Sequence, residues 1–141
     1  MRPLRKETCI VSDRLVITPA RKSDFADWSA LRIKSRTHLE QWEPRWPKDA
    51  NSQKDWSRRM KVWKSSWYRG DAYVLLIRQI DNNKLIGGIS LTNVRSWPAC
   101  SASLGYWLGA KHEGQGYMQE SVAAVCKWAF QTLGLYRIEA G

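Results

Sequence analysis

The chain has 141 residues, about the length of one domain with a single core. It contains no run of 18 apolar residues, and residues 1–7 lack the apolar stretch of a signal peptide, so we predict no membrane partner. Cys9, Cys100 and Cys126 show neither a disulfide framework nor the spacing of zinc ligands. We therefore predict a cytoplasmic protein without a metal site.

The net charge of +10 is concentrated in the first half of the chain. Residues 1–70 carry 17 Lys and Arg against 8 Asp and Glu, whereas residues 71–141 carry 6 against 5. A basic surface attracts acidic partners such as nucleic acid or a ribosomal surface. A surface that is basic only for solubility is an equally good interpretation of the charge.

The first half of the chain predicts one strand and two helices. Residues 14–18 (RLVIT) are typical of a strand, and Ser23 can cap a helix. A second helix is predicted from Ser52, after a turn-rich loop at 41–47. Four large apolar residues share one face of this second helix, with the spacing of a buried stripe: Trp56, Met60, Trp63 and Trp67.

The second half predicts three strands, a long helix and a last strand. Residues 73–78 and 84–94 flank a hairpin turn at 81–83, and a third strand covers 103–109. A helix is predicted over 115–133, ended by Gly134, before a strand at 136–140. The order is β-α-α-β-β-β-α-β, and its last three elements form a βαβ unit with parallel strands. The last strand has no predicted partner downstream, so we expect the sequence to be incomplete at its C-terminus.

The segment from Lys111 to Met118 (KHEGQGYM) joins a predicted strand to the long helix. Its glycines let successive backbone N–H groups point into one concavity, and the helix N-terminus adds partial positive charge. A phosphate or pyrophosphate is the expected ligand. Two other phosphate motifs are excluded, because no Gly-Lys-Ser/Thr follows and Gln119 occupies the third glycine position of the dinucleotide fingerprint.

This turn and its neighbours resemble the GNAT superfamily of acyl-CoA N-acyltransferases, in which the turn reads Gln/Arg-x-x-Gly-x-Gly/Ala. Lys111 departs from that pattern, because it keeps the charge but loses the planar guanidinium. Residues 87–94 (GGISLTNV), 103–109 (SLGYWLG), 42–44 (WEP) and 46–47 (WP) are similar to the branch of ribosomal-protein alanine N-acetyltransferases. The resemblance begins at Asp13. It implies one domain over 1–141, of α/β (α+β) class, with a mixed, mostly antiparallel central sheet and flanking helices.

The resemblance implies acetyl transfer from acetyl-CoA, the co-substrate, to a primary amine, chiefly the N-terminal α-amine of a protein that could be ribosomal. The pantetheine arm would lie along the strand before the turn, like an added strand. The N–H group of Leu108 would stabilise the thioester oxyanion. The expected cofactor-binding residues are Tyr106, Trp107, Leu108, Lys111, Glu113, Gly114, Gln115, Gly116, Tyr117 and Met118.

The resemblance also suggests a general base, because some relatives carry a glutamate where this chain has Glu139. Pairing of Glu139 with Arg137 at the surface is the alternative interpretation. Glu43 is a weaker candidate for the base, and His112 is expected at the surface of the turn. The general acid is expected beyond Gly141.

Two other functions remain open at this stage. The acceptor could be a small-molecule amine, or the chain could be a non-catalytic module that binds ribosomes or RNA through the Lys, Arg and Trp residues of 54–69. An exposed edge on the last strand would also allow a homodimer.

Overall fold

A six-stranded sheet forms the centre of the molecule, as a computed structural model describes it over residues 3–140. The strands are β1 (Ile10–Val11), β2 (Leu15–Pro19), β3 (Tyr73–Gln79), β4 (Leu85–Arg95), β5 (Ser101–Leu108) and β6 (Arg137–Ala140). The helices are α1 (Phe25–Lys34), α2 (Arg36–Glu40), α3 (Gln53–Arg69) and α4 (Tyr117–Trp128). Short helical turns occupy Arg5–Glu7, Lys22–Asp24, Ala110–His112 and Ala129–Leu133.

The strands lie side by side in chain order, and every neighbouring pair is antiparallel except β5 and β6. This confirms the predicted mixed, mostly antiparallel sheet and the parallel βαβ unit formed by β5, α4 and β6. The prediction omitted β1 and α2. A strand of two residues and a helix of five are too short to produce a recognisable hydrophobic period.

Each face of the sheet packs against a different group of helices. Leu75 and Ile77 belong to the apolar cluster that includes Val125 of α4, whereas Leu76, between them in the chain, belongs to the cluster that includes Trp28 of α1. Successive side chains of a strand point to opposite faces, so β3 serves both clusters. The sheet is therefore a middle layer between helices.

The predicted apolar stripe of α3 lies in the core. Trp56, Met60 and Trp67 are buried, and Trp63 packs against the cluster around Trp56. Ser52 caps the helix, as predicted, by accepting a hydrogen bond from the Asp55 N–H at 3.1 Å. Buried indoles cannot stack on nucleotide bases, so this helix loses the feature that favoured RNA binding.

The long helix differs from its prediction at its start and ends where predicted. It begins at Tyr117 rather than residue 115, because Gly116 is left-handed at φ 80°. Its last turn, Ala129–Leu133, is π-helical, and Gly134 ends it at φ 70°, as predicted. Val125 and Ala129 are buried.

An ion pair attaches the β1–β2 turn to the first turn of α4. The Arg14 guanidinium donates to the Glu120 carboxylate at 2.7 Å, and the Arg14 N–H donates to it at 2.8 Å. The Ser12 hydroxyl donates to the same carboxylate at 2.5 Å. Burial acts to raise the pKa of Glu120, but these hydrogen bonds outweigh it and hold the pKa below its ordinary value.

Two glycines of β4 allow a close approach by β5. A Cβ atom on Gly87 would lie 2.2 Å from the Trp107 carbonyl oxygen, and one on Gly88 would lie 2.3 Å from the Trp107 Nε1 atom. Both positions therefore need a residue without a side chain. The indole of Trp107 consequently lies directly over the β4 backbone.

We predict that Gly87→Ala destabilises the fold by about 1–3 kcal/mol, because the new methyl group meets a backbone oxygen that cannot move without separating the strands. Urea unfolding of both proteins would measure the difference. Gly105→Ala in β5 is the control, since its methyl group would meet nothing closer than the Ser90 hydroxyl at 3.6 Å. Equal stability of the two variants would contradict the proposed close approach.

We predict that Glu120→Gln lowers the free energy of unfolding by roughly 1–2 kcal/mol at neutral pH. Since the folded-state pKa of Glu120 is depressed, its stabilisation is present above the ordinary value of 4.5 and is lost as the pH falls through the lower, folded value. The difference from the unchanged chain should therefore shrink in acid. Urea unfolding at several pH values checks this, with Glu7→Gln at an exposed site as control. A constant difference at all pH values would be the opposing result.

Candidate active site

The segment between β5 and α4 is held in an unusual backbone conformation by two glycines. Gly114 has φ 74° and Gly116 has φ 80°, a backbone conformation that residues other than glycine rarely adopt. Gly116 also stands at the N-cap of α4, where it offers no side chain to the free amides of the first turn. The turn therefore leaves the start of the helix open.

The backbone N–H groups of this turn are unpaired, whereas two of its carbonyl groups accept hydrogen bonds. Among residues 3–140, no acceptor receives a hydrogen bond from the backbone N–H groups of residues 113–118. The carbonyl of Lys111 accepts from the side-chain amide of Gln115 at 3.0 Å, and the carbonyl of Gln115 accepts from the Arg14 guanidinium at 3.0 Å. The turn thus presents a row of unpaired donors while neighbouring acceptors are occupied. Such a surface suits an anion with several oxygen atoms.

Residues distant in sequence hold the turn in place. The Ser35 hydroxyl, between α1 and α2, accepts from the Ala110 N–H at 3.1 Å. His38 of α2 lies 2.9 Å from a carboxylate oxygen of Glu113. Sequence analysis missed Arg14, Ser35 and His38, because nothing local marks contacts that span 75 residues or more.

The strand that leads into the turn has an open backbone edge. The Gly109 N–H donates to the Ile86 carbonyl at 2.8 Å, and Leu108 lies opposite Gly87. Antiparallel ladders alternate, so the backbone groups of Trp107 face β4 while those of Leu108 and Tyr106 face away from it. On that outer side the described part of β6, which ends at Ala140, pairs with residues 101–104 of β5. The Leu108 N–H therefore has no partner among the described residues.

This alternation separates the three strand residues that were predicted to bind the pantetheine arm. Leu108 and Tyr106 offer backbone groups on the open side. Trp107 differs from that prediction, because its backbone is used by β4 and only its indole is available. The N–H groups of the turn and of Leu108 belong to the same continuous stretch of chain.

Glu139 is not brought to this stretch. It lies opposite Ser103 on β6, and its carboxylate forms an ion pair with Arg137. Ser103 precedes Leu108 by five residues, or about 17 Å of extended strand. The role of Glu139 as a general base stays a prediction, and the surface pairing with Arg137 is the arrangement observed.

His112 is buried, contrary to the expectation that it lies at the surface. It lies on the wall of a cleft between α1, the β3–β4 turn and the short helix Ala110–His112. Burial lowers the pKa of His112, and the positive charges of Lys84, Lys34 and Lys111 lower it further. The imidazole is therefore neutral at pH 7.

A buried arginine organises the other side of β5. The Arg32 guanidinium donates to the two carboxylate oxygens of Glu43 at 2.5 and 3.3 Å, and to the Asn51 side chain at 3.1 Å. It also stacks on the indoles of Trp107 and Trp46, at 4.9 and 5.0 Å from their centroids. Glu43 was a weaker candidate for the general base, but its oxygens are already occupied as acceptors from Arg32. Sequence analysis missed Arg32, whose burial depends on this partner.

A groove beside Glu43 has a volume of about 730 Å³. It is lined by residues of α2 and the following loop: Arg36, Glu40, Glu43, Arg45, Trp46, Pro47, Lys48 and Ala50.

Residues 3–140 contain no group of three or more His, Cys, Asp or Glu side chains that could hold a metal ion. None of their helices combines the length and the apolar character that crossing a membrane requires.

Comparison with known proteins adds three findings of similarity. The chain is 28% identical over 127 residues to the probable N-acetyltransferase YjcK of Bacillus subtilis, covering 90% of this chain and 70% of the relative. It is 27% identical over 131 residues to the ribosomal protein uS5-alanine N-acetyltransferase of Escherichia coli, covering 93% and 68%. It also superposes on Mycobacterium smegmatis RimJ in complex with CoA-disulfide with a TM-score of 0.83 and 26% identity, covering 89% of this chain and 61% of that one.

A family model described as the acetyltransferase (GNAT) domain matches residues 14–141, which include strands β2 to β6, the turn with the unpaired N–H groups and α4. The match covers most of the chain, and it agrees with the resemblance found in the sequence and with the three similarities above. The chain belongs to the GNAT family of acetyltransferases.

Proposed function

We propose that the chain transfers the acetyl group of acetyl-CoA to the N-terminal α-amine of a protein. The observation that carries this proposal is the unpaired Leu108 N–H on the open edge of β5, followed, beyond residues 109–112, by the unpaired N–H groups of residues 113–118 in the turn. A pyrophosphate group attached to an extended arm matches that series of donors. The amine acceptor follows from the family and from the names of the relatives.

The residues present fit the co-substrate in two ways. The N–H groups of residues 113–118 would hold the pyrophosphate, aided by the positive end of α4 and by Lys111. The open edge of β5 would pair with the amide groups of the pantetheine arm, through the backbone of Tyr106 and Leu108. Trp107 would contribute its side chain instead of its backbone.

The Leu108 N–H would act on the reacting carbonyl. The acceptor nitrogen attacks the thioester carbon, the carbonyl oxygen becomes an oxyanion, and the C–S bond then breaks to release the thiolate, which takes up a proton. A fixed N–H donor stabilises the oxyanion more than the starting carbonyl and contributes about 3 kcal/mol in comparable sites. The proton lost by the amine needs only a mild acceptor, because an α-amine has a pKa of about 8.

The acceptor would approach through the groove beside Glu43. Arg32 links this groove to β5, because the same guanidinium binds Glu43 and stacks on Trp107. The volume of the groove, about 730 Å³, suits the first residues of a peptide. A relative from Escherichia coli is named a ribosomal-protein-serine acetyltransferase, which makes a ribosomal N-terminus the first class of acceptor to test.

We predict that Gly114→Glu weakens acetyl-CoA binding at least about tenfold, because the new carboxylate repels the pyrophosphate. Isothermal titration of acetyl-CoA into the chain measures this. Gly134→Glu is the matched control, since Gly134 also has positive φ with open space around it but lies at the opposite end of α4. Equal weakening in both variants would indicate backbone strain and would count against the pyrophosphate site.

We predict that peptides with a free N-terminal alanine or serine are acetylated on the α-amine. Mass spectrometry would locate the acetyl group after incubation with acetyl-CoA. The controls are the same peptides with a blocked N-terminus and an internal lysine, and a polyamine such as spermidine. Faster transfer to the polyamine would favour the small-molecule acceptor and would reject a protein N-terminus as the substrate.

A further inference from the structure

A second positively charged site lies beside the turn with the unpaired N–H groups. A cleft of about 680 Å³ separates α1 from the β3–β4 turn and from the short helix Ala110–His112. Its apolar wall is formed by Ala30, Leu31, Leu85 and Ala110. Lys34, Lys84 and Lys111 reach it from three different elements, together with the imidazole of His112.

The three lysines converge on one volume rather than pointing apart. The neighbouring Lys111 side chain lowers the pKa of Lys34, through a direct contact and through its charge. Burial lowers the pKa of His112, and the positive charges of all three lysines lower it further. Positive groups that approach one another without an intervening anion repel, so a bound anion would relieve a cost already present in the fold.

The cleft has no carboxylate free to neutralise these lysines. Asp27 lies on its wall, but its carboxylate accepts a hydrogen bond from Arg78 at 3.1 Å. Within residues 3–140, Lys34, Lys84 and Lys111 form no salt bridge. The Asp27 carboxylate on the cleft wall is therefore paired, whereas the three lysines of the cleft are not.

We propose that the cleft formed by Lys34, Lys84, Lys111 and His112 binds a phosphate group. Several ammonium groups around one point suit a phosphate dianion, and the apolar wall of Leu31 and Leu85 suits an organic body attached to it. This phosphate could belong to the terminal ribose phosphate of the CoA moiety or to a separate phosphate compound. The first source rests on the proposed function, and the second does not.

A double variant removes two of the lysines and leaves the residues predicted to bind pyrophosphate unchanged. Lys34 and Lys84 are exposed, so Lys34→Gln together with Lys84→Gln should leave the fold unchanged. The matched control is Lys61→Gln together with Lys64→Gln, which removes the same charge from exposed positions on α3. Thermal unfolding of both double variants verifies that they are folded.

Isothermal titration would compare CoA with 3′-dephospho-CoA in the unchanged chain and both double variants. If the CoA phosphate binds in the cleft, the preference for CoA over the dephospho form should fall about five- to tenfold in the Lys34/Lys84 variant and stay unchanged in the control. In parallel, NMR would follow the His112 ring signal, assigned with His38→Asn, during titration with inorganic phosphate. A separate phosphate ligand predicts a shift that saturates in the unchanged chain and in the control but not in the Lys34/Lys84 variant.

The two measurements decide the proposal together. A changed CoA preference assigns the cleft to the co-substrate, and an unchanged preference with a saturating His112 shift assigns it to a separate phosphate compound. An unchanged preference without a saturating shift overturns the proposal. If the chain binds neither CoA nor dephospho-CoA, the proposed function fails on its own, and the phosphate titration still decides whether the cleft is an anion site.

Discussion

β4 pairs with β5 from Ser101 to Leu108, with one register irregularity at Ala102, and the described part of β6 pairs with residues 101–104 on the other side. Among the described residues, the outward-facing backbone groups of Tyr106 and Leu108 have no partner on that side, and these are the groups with which an added strand would pair. The turn that follows extends this edge with further unpaired donors. The catalytic proposal depends on this incomplete pairing.

The open edge requires a rigid framework on its other side. Gly87 and Gly88 let β5 approach β4 closely, and the indole of Trp107 lies over the contact. Arg32 then clamps that indole by stacking on it while binding Glu43. The groove beside Glu43 and strand β5 are therefore connected through one buried guanidinium. A buried ion pair of this kind fixes geometry more than it adds stability.

The positively charged side chains discussed above fall into two groups. Arginines such as Arg14, Arg32 and Arg78 are engaged in ion pairs that join separate elements. The lysines of the cleft beside the turn form no such pair with any other residue of 3–140, which is why we propose this cleft as an anion site. Part of the positive charge in residues 1–70 therefore serves to hold elements together. Two of the three cleft lysines, Lys84 and Lys111, lie in the second half of the chain.

Local patterns were sufficient for the long elements and for the turn. The strands around the 81–83 turn, the apolar stripe of α3 and the glycines at 114 and 116 each depend on neighbours a few residues away, where side-chain period and backbone freedom act directly. The family resemblance also depended on such contiguous segments. The two-residue strand β1 and the short helix α2 were missed because they are too short to show a hydrophobic period and are stabilised by pairing and packing with distant residues.

The tertiary structure alone decided which groups are available for chemistry. The sequence determined that a glycine turn joins a strand to a helix, because glycine tolerates positive φ there. Only the folded chain determined that Arg14 and Ser35 hold this turn, that His112 is buried and that Glu139 lies beside Arg137, far along the strand from Leu108. These facts depend on contacts between distant residues and on the register of β5 against β4 and β6. No local pattern encodes that register, since it results from the packing of the whole sheet.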